Sequence, residues 1–298
     1  MLKKILCVGH CVLDRVYELT EIPSTPRKVD ALNSRESGGG PASTAAVAIS
    51  CLGGNTSFIG YLGNDAVGAS LIKKLADKGV DATQVIVIEG GRTVAPIVLV
   101  DGNGERCIIV HRHHVDVPSE KIKFDLSNTD LLLVDTRWIR GSLAAAQEAR
   151  KFRIPIIVDV DGGKREDIMK LLSLGDHSIF SDQGLYDCTS QGDVETRLRE
   201  IKNFCSGIVA VTAGSAGSYW LLGEDIHHIP AFKVIPLDTT GCGDVFHGTY
   251  ALGITENMSP LRAARFASAA AALKAAKGNG WDGMPKRSEI EELLATVS

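Results

Sequence analysis

The chain has 298 residues, 44% of them hydrophobic and 5% aromatic, with a formal net charge of −4. That length suffices for one large domain or two modest ones with a sizeable core. The absence of a Lys/Arg run and of basic–aromatic interleaving argues against a nucleic-acid or membrane surface, and no stretch approaches the ~20 apolar residues of a membrane span.

In chain order, KKILCVG (3–9) predicts a first strand. Its apolar run is too short for a signal peptide, which points to the cytoplasm. Residues 11–37 alternate and carry charge without a helical period, and read as extended. ESGGGPASTAAVAISCLGG (36–54) leads from glycines into a small-residue helix at 43–52. Small side chains there would let a ligand or a neighbouring element approach the backbone; a plain loop and a tightly packed helix are the alternative. TSFIG (56–60) predicts a strand and GASLIKKLADKG (68–79) a helix. TVAPIVLVDGNGERCIIVHR (93–112) reads as two strands around the turn DGNG, a hairpin. DLLLVD (130–135), IPIIVDV (154–160), HSIFS (177–181) and GIVAVT (207–212) read as buried strands. GSLAAAQEARKF (141–152), DVETRLREIKNF (193–204) and SPLRAARFASAAAALKAA (259–276) read as helices.

Near-continuous apolar strands alternating with helices predict a parallel sheet covered on both faces. The two extended pieces, 11–37 and 93–112, predict a small sheet projecting from it. No linker, low-complexity segment or internal repeat appears, so residues 1–298 are expected to form one main domain with a β-sheet appendage. The seven cysteines are odd in number and include no CxxC pair, the pattern of reduced thiols in the cytosol. HRHH at 111–114 has the spacing of no common zinc site.

The stretch LDTTGCGDVFHG (237–248) carries the chemistry. The two glycines flanking its cysteine, Gly241 and Gly243, permit tight turn geometry and close approach. The residues that follow can form a helix, whose first turn presents free N–H groups and the positive end of the dipole. That is an anion site, suited to a phosphate or to charge developing on a transferring phosphoryl group. An acid inside it would compete with the anion. Asp244 makes chemical sense there if it takes a proton from an incoming hydroxyl; otherwise it is a helix cap after a turn. GGKR (162–165) lacks the Ser/Thr and glycine spacing of a P-loop. GNGWDG (278–283) follows an Ala-rich helix instead of a strand, so it is no dinucleotide fingerprint. The protein-kinase motifs are absent.

Taken together, GGPASTAAVAISCLG and DTTGCGDVFHG resemble the two signature regions of the PfkB (ribokinase-like) sugar kinase family. VTAGSAG (211–217) is similar to that family's nucleotide-loop segment, and CVGHCVLD (7–14) to its first strand ending in a sugar-binding aspartate. The match runs nearly end to end in the family's order. The resemblance implies a ribokinase-like three-layer α/β/α fold with a mostly parallel central sheet and a β-sheet lid. It also implies ATP-dependent phosphorylation of a small-molecule sugar, usually with Mg²⁺, and leaves a monovalent cation open. Carried over by residue, Asp244 is the base, and Gly241, Cys242 and Gly243 supply the anion-hole amides. Ser181, Asp182, Thr212, Gly214 and Gly217 lie by the nucleotide; Asp14, Gly39, Gly40 and Thr44 line the sugar site. Cys242 replaces the usual alanine, and Pro41 and Thr44 stand where many members have other polar residues. The NxxE motif that organises metal and phosphates reads Ser181-Asp182-Gln183-Gly184 here, so the metal ligands stay unassigned.

GGGPASTAAVA, DTRW (135–138) and TTGCGDVFHG look most like the bacterial sulfofructose kinase branch, where Lys28 and Arg137 match positions that hold the sulfonate. An Asn of that branch is Val110 here, which leaves His111 or Arg112 as further candidates. A Lys and an Arg converging on a sugar pocket suit an anionic substituent. The expected substrate is therefore a ketohexose carrying an anionic group such as sulfofructose. A neutral ketohexose or a nucleoside is the alternative among kinases, and a non-catalytic sugar- or nucleotide-binding regulator the alternative outside them. Exposed lid strands predict a homodimer formed through the lid.

Overall fold

The structure, a computed structural model, describes residues 2–102, 105–111, 117 and 121–296. The first third contains β1 (Lys4–Val8), β2 (Val12–Glu18), β3 (Asn33–Gly39), α1 (Pro41–Cys51), β4 (Asn55–Ile59), β5 (Tyr61–Gly63), α2 (Ala66–Asp77), β6 (Ile86–Ile88), β7 (Ile97–Val100) and β8 (Arg106–Ile109). Next come β9 (Leu131–Asp135), α3 (Ile139–Lys151), β10 (Ile156–Val160), α4 (Arg165–Leu172), β11 (His177–Ser181), α5 (Asp182–Cys188), α6 (Val194–Lys202) and β12 (Ile208–Thr212). The chain then forms β13 (Ser218–Leu222), β14 (Asp225–Ile229), α7 (Cys242–Thr255), α8 (Pro260–Lys277) and α9 (Arg287–Ala295).

The six predicted apolar strands lie side by side in the order β12-β11-β10-β9-β1-β4, all parallel. Alternate residues of each strand feed opposite faces. Ile5, Cys7, Leu131 and Leu133 pack with α1, α7 and α8. Leu6, Val8, Leu132 and Val134 pack with α3, α4 and α6. Burial on both sides is why these runs carry no polar alternation. Beyond β12 the sheet continues antiparallel through β13 and β14. That hairpin was not expected: the apolar run of β13 was passed over, and its partner β14, DIHHI, is largely polar with no buried residue. Helices α4, α5 and α9 were likewise absent from the sequence reading.

The two extended segments do form one small sheet, in the order β3-β2-β7-β8. Asn103 and Gly104 of the expected DGNG turn lie outside the described residues, as does the HRHH run beyond His111. All seven cysteines are free thiols. Among the described residues, no helix is long and apolar enough to cross a membrane. One packing detail positions the site: the N–H groups of Leu237 and Asp238 both donate to Ala275 O, at 2.8 and 3.2 Å. The loop leading into α7 therefore hangs from the end of α8.

Candidate active site

A cleft opens between the small sheet and the start of α7. Asp14, Gly39, Gly40, Thr44, Gly241 and Asp244 all line it, so six residues nominated from three distant motifs meet in one place. It lies beyond the carboxyl ends of the parallel strands, where ligands gather in open α/β sheets.

Asp14 projects from β2 against Gly39 of the neighbouring β3. A Cβ on Gly39 would stand 2.1 Å from Asp14 Oδ2, so only glycine lets the carboxylate occupy that position. Burial pushes the Asp14 pKa up to about 6; Asp238 adds to the rise and Arg35 opposes it. Thr44, on α1, accepts a hydrogen bond from Trp281 Nε1 at 3.0 Å, which fixes the indole as one wall.

Gly241 is the N-cap of α7, with φ +75°, the left-handed region that favours glycine. Gly243 was expected to share that constraint. It is instead an ordinary helical residue, and a Cβ there would meet nothing within 4 Å. Its value is the open space above its amide. Gly243 and Asp244 lie in the first helical turn, where N–H groups have no intrahelical acceptor. The Cys242 amide is partly committed, donating to Thr239 O at 3.3 Å. The Cys242 thiol is pushed up to about 11 by burial, so it stays protonated and is no nucleophile.

Beneath Asp244 lies a buried pair. Asp159 of β10 is 1% exposed and His247 of α7 is 3% exposed, with Oδ2 and Nδ1 2.9 Å apart. Burial and the charge of Asp159 drive the Asp244 carboxyl well above the usual carboxylate range, while His247 pulls it back. The sign for activity follows directly. A base works only when ionised, so kcat/KM should fall as pH drops through a limb lying above the usual Asp value of ~4. A pH–rate profile that stays flat down to about 5 would show that Asp244 is not the titrating base.

Of the residues nominated for the nucleotide, Gly241 lines the cleft, whereas Ser181, Asp182, Thr212, Gly214 and Gly217 lie at the ends of β11 and β12 and do not. Thr212 ends β12 and donates its hydroxyl to Phe180 O at 3.2 Å. Gly214 begins a 3-10 turn with φ +53° and open space around it, and Gly217 closes that turn. Ser181 caps α5, accepting from Gly184 N at 3.0 Å, and Asp182 starts that helix exposed to solvent. A Glu at position 184 is excluded sterically, since a Cβ there would sit 2.3 Å from Val160 O. Among the described residues, no group of three or more His, Cys, Asp or Glu is arranged to hold a metal. One exposed carboxylate, Asp182, still suits Mg²⁺, which commonly takes one or two protein carboxylates and fills its shell with phosphate oxygens and water.

Lys28 and Arg137 do not line the cleft. Lys28 is exposed in the segment between β2 and β3. The Arg137 guanidinium, beyond the end of β9, is bonded to the carboxylate and, at 2.6 Å, to the backbone oxygen of Asp161. The expected convergence of two unpaired cations is therefore not what this structure contains. His111 is exposed just past β8, and Arg112 lies outside the described residues.

The cleft is also lined by residues that had not been nominated, among them Arg35, Asp238, Lys274 and Trp281. Arg35 Nη2 pairs with Asp238 Oδ2 at 3.0 Å, tying the small sheet to the loop before α7. Arg106 Nη1 makes a second tie, to Thr240 Oγ1 at 2.9 Å. Asp238 was visible as the first acid of DTTGCGD. Arg35 sits in a charged strand that offers no pattern. Trp281 lay inside the discarded GNGWDG.

Known proteins bear on this geometry. The model of the pfkB family carbohydrate kinases matches residues 2–287. A ribokinase of Lactococcus lactis is 28% identical, covering 98% of this chain and 97% of its own. Fructokinase-1 of Oryza sativa is also 28% identical, covering 87% of this chain and 88% of its own. A solved structure from Agrobacterium tumefaciens, provisionally assigned as a ribokinase, superimposes with a TM-score of 0.90 at 32% identity, covering 99% of this chain and 98% of its own. With the cleft, the left-handed Gly241 and the acid in the first turn of α7, this match establishes that the chain belongs to the pfkB family of carbohydrate kinases, as an ATP-dependent sugar kinase.

Proposed function

We propose that the chain transfers the γ-phosphate of ATP to a hydroxyl of a sugar lying in the cleft, with Asp244 as the base. The observation that carries this reading is the position of Asp244, which shares one turn of α7 with free backbone amides and faces the same cleft as Asp14. Asp14 accepts hydroxyl hydrogen bonds from the sugar and orients it. Asp244 takes the proton of the attacking hydroxyl. The N–H groups at the start of α7, with Gly241 shaping the turn, offset charge on the transferred group. Thr212, Gly214 and Gly217 receive the nucleotide along the edge of β12, and Asp182 is the protein ligand nearest in kind to what Mg²⁺ requires. Mg²⁺, when bound, supplies charge neutralisation at the phosphates.

The cleft itself favours a neutral sugar. Asp14, Asp238 and Asp244 bring three carboxylates, against the cations Arg35 and Lys274, and Arg35 is already paired. A neutral ketohexose or pentose fits that balance better than a substrate with its own negative charge. The sulfofructose-like substrate is the second reading. It rests on Arg137, whose only acidic partner among the described residues, Asp161, is itself 42% exposed and could be exchanged for a sulfonate. Coupled ADP-release assays on fructose, ribose, sulfofructose and a nucleoside decide between them. We expect the highest kcat/KM on a neutral sugar, and Arg137→Ala to leave that activity within about threefold, the effect of a surface pair. A preference for sulfofructose that Arg137→Ala abolishes would install the second reading; no turnover of any sugar would defeat both.

A further inference from the structure

Lys274 is an anomaly in the interior. It lies on α8 in the stripe Ala263, Ala267, Ala270, Lys274, whose other members are alanines packed in the core. The residue is only 1% exposed, yet it reaches the cleft. A buried ammonium is costly unless other groups compensate its charge. Its Nζ donates to Gly278 O at 3.2 Å, at the end of its own helix, where unsatisfied carbonyls and the dipole favour a cation. Among the described residues it forms no ion pair, since Asp238 is taken by Arg35. Burial lowers its pKa, while Cys242, Asp238 and Asp244 act to raise it and Arg35 opposes them. Those three groups belong to the turn on which catalysis depends. The same helix end also carries that turn, through Ala275 O and the amides of Leu237 and Asp238.

We propose that Lys274 is a built-in cation of the active site: its ammonium, held at the end of α8, offsets the negative charge gathered at the Asp238–Asp244 turn and keeps that turn in place during phosphoryl transfer. It acts on the turn and is a positioning residue. It does from within the chain what a bound monovalent cation would do, so the enzyme needs none. The inference rests on the kinase reading above.

The first test uses the wild-type protein. Its rate on the best sugar of the panel is measured in sodium, potassium, ammonium and tetramethylammonium chloride at equal ionic strength. The four rates should agree within about twofold, since only general screening changes. Activation by potassium of ~10-fold or more would show a separate cation site and overturn the proposal. The second test uses Lys274→Ala. We expect kcat to fall ~10–100-fold, somewhat less than loss of a direct oxyanion donor, with the sugar KM nearly unchanged. Ammonium or potassium should restore part of the lost rate by entering the space left behind, whereas bulky tetramethylammonium should not. Lys274→Met fills that space without charge, and should show the loss without the rescue. A full rate in Lys274→Ala, a loss confined to KM, or equal behaviour in all four salts would each overturn the proposal. Should Lys274→Ala fail to fold in a thermal melt, the wild-type comparison still decides. A wild-type protein inactive on every sugar would defeat the kinase reading, whereas an active but potassium-dependent one would defeat this inference alone.

Discussion

Replacing Asp244 by Asn is expected to lower kcat by ~10²–10⁴, the usual contribution of a positioned base. The two side chains have the same shape, so the first turn of α7 and its amides should survive. ATP affinity, measured by calorimetry, should hold or improve, because an anion has been removed from an anion site. Thermal stability should not fall either. The Asp244 pKa is raised on folding, so its ionised form costs stability at neutral pH, and that cost is relieved when the group is protonated or replaced by an amide. Loss of turnover with intact folding and nucleotide binding is thus the specific signature. A purified variant that keeps more than about half of its activity would remove Asp244 from the mechanism.

Asp14→Ala is expected to act on the sugar alone. Losing one charge-assisted hydrogen bond costs ~1.5–3 kcal/mol, or ~10–150-fold in kcat/KM for the sugar, while the KM for ATP stays put. The deficit should also depend on pH. Burial raises the Asp14 pKa to about 6, so the wild-type carboxylate is charged at pH 8 and loses its charge as pH falls through that value. The gap between wild type and variant should be widest at pH 8 and shrink toward pH 5. A defect in ATP binding, or one equal at both pH values, would mean that Asp14 does not hold the sugar as an anion.

The chain announced its layered architecture because parallel strands buried on both faces must be almost wholly apolar. KKILCVG, DLLLVD and GIVAVT leave no other economical reading. The antiparallel β13–β14 hairpin did not announce itself, because an edge needs only half of its side chains buried. The site shows the same division. Gly241 and Asp244 were legible because a left-handed turn and an acid at a helix start are local demands of the backbone, written in adjacent letters. Lys274 gave one faint signal, a charge in a stripe of alanines spaced for burial, and no local rule says what a buried lysine faces.

By itself, then, the sequence determined the six parallel strands of the main sheet, the two extended segments of the small sheet, the turn before α7 and the order of the motifs, all of which depend on residues close in the chain. Only the tertiary structure decided which side chains share the cleft. It brought Arg35 to Asp238, 203 positions away, and Trp281 to Thr44, 237 positions away. It kept Lys28 and Arg137 out, because Lys28 lies exposed between β2 and β3 and Arg137 found Asp161 at the end of the neighbouring strand. Pairing between distant charges depends on how sheet and helices stack, and that stacking is a property of the whole core; no single motif encodes it.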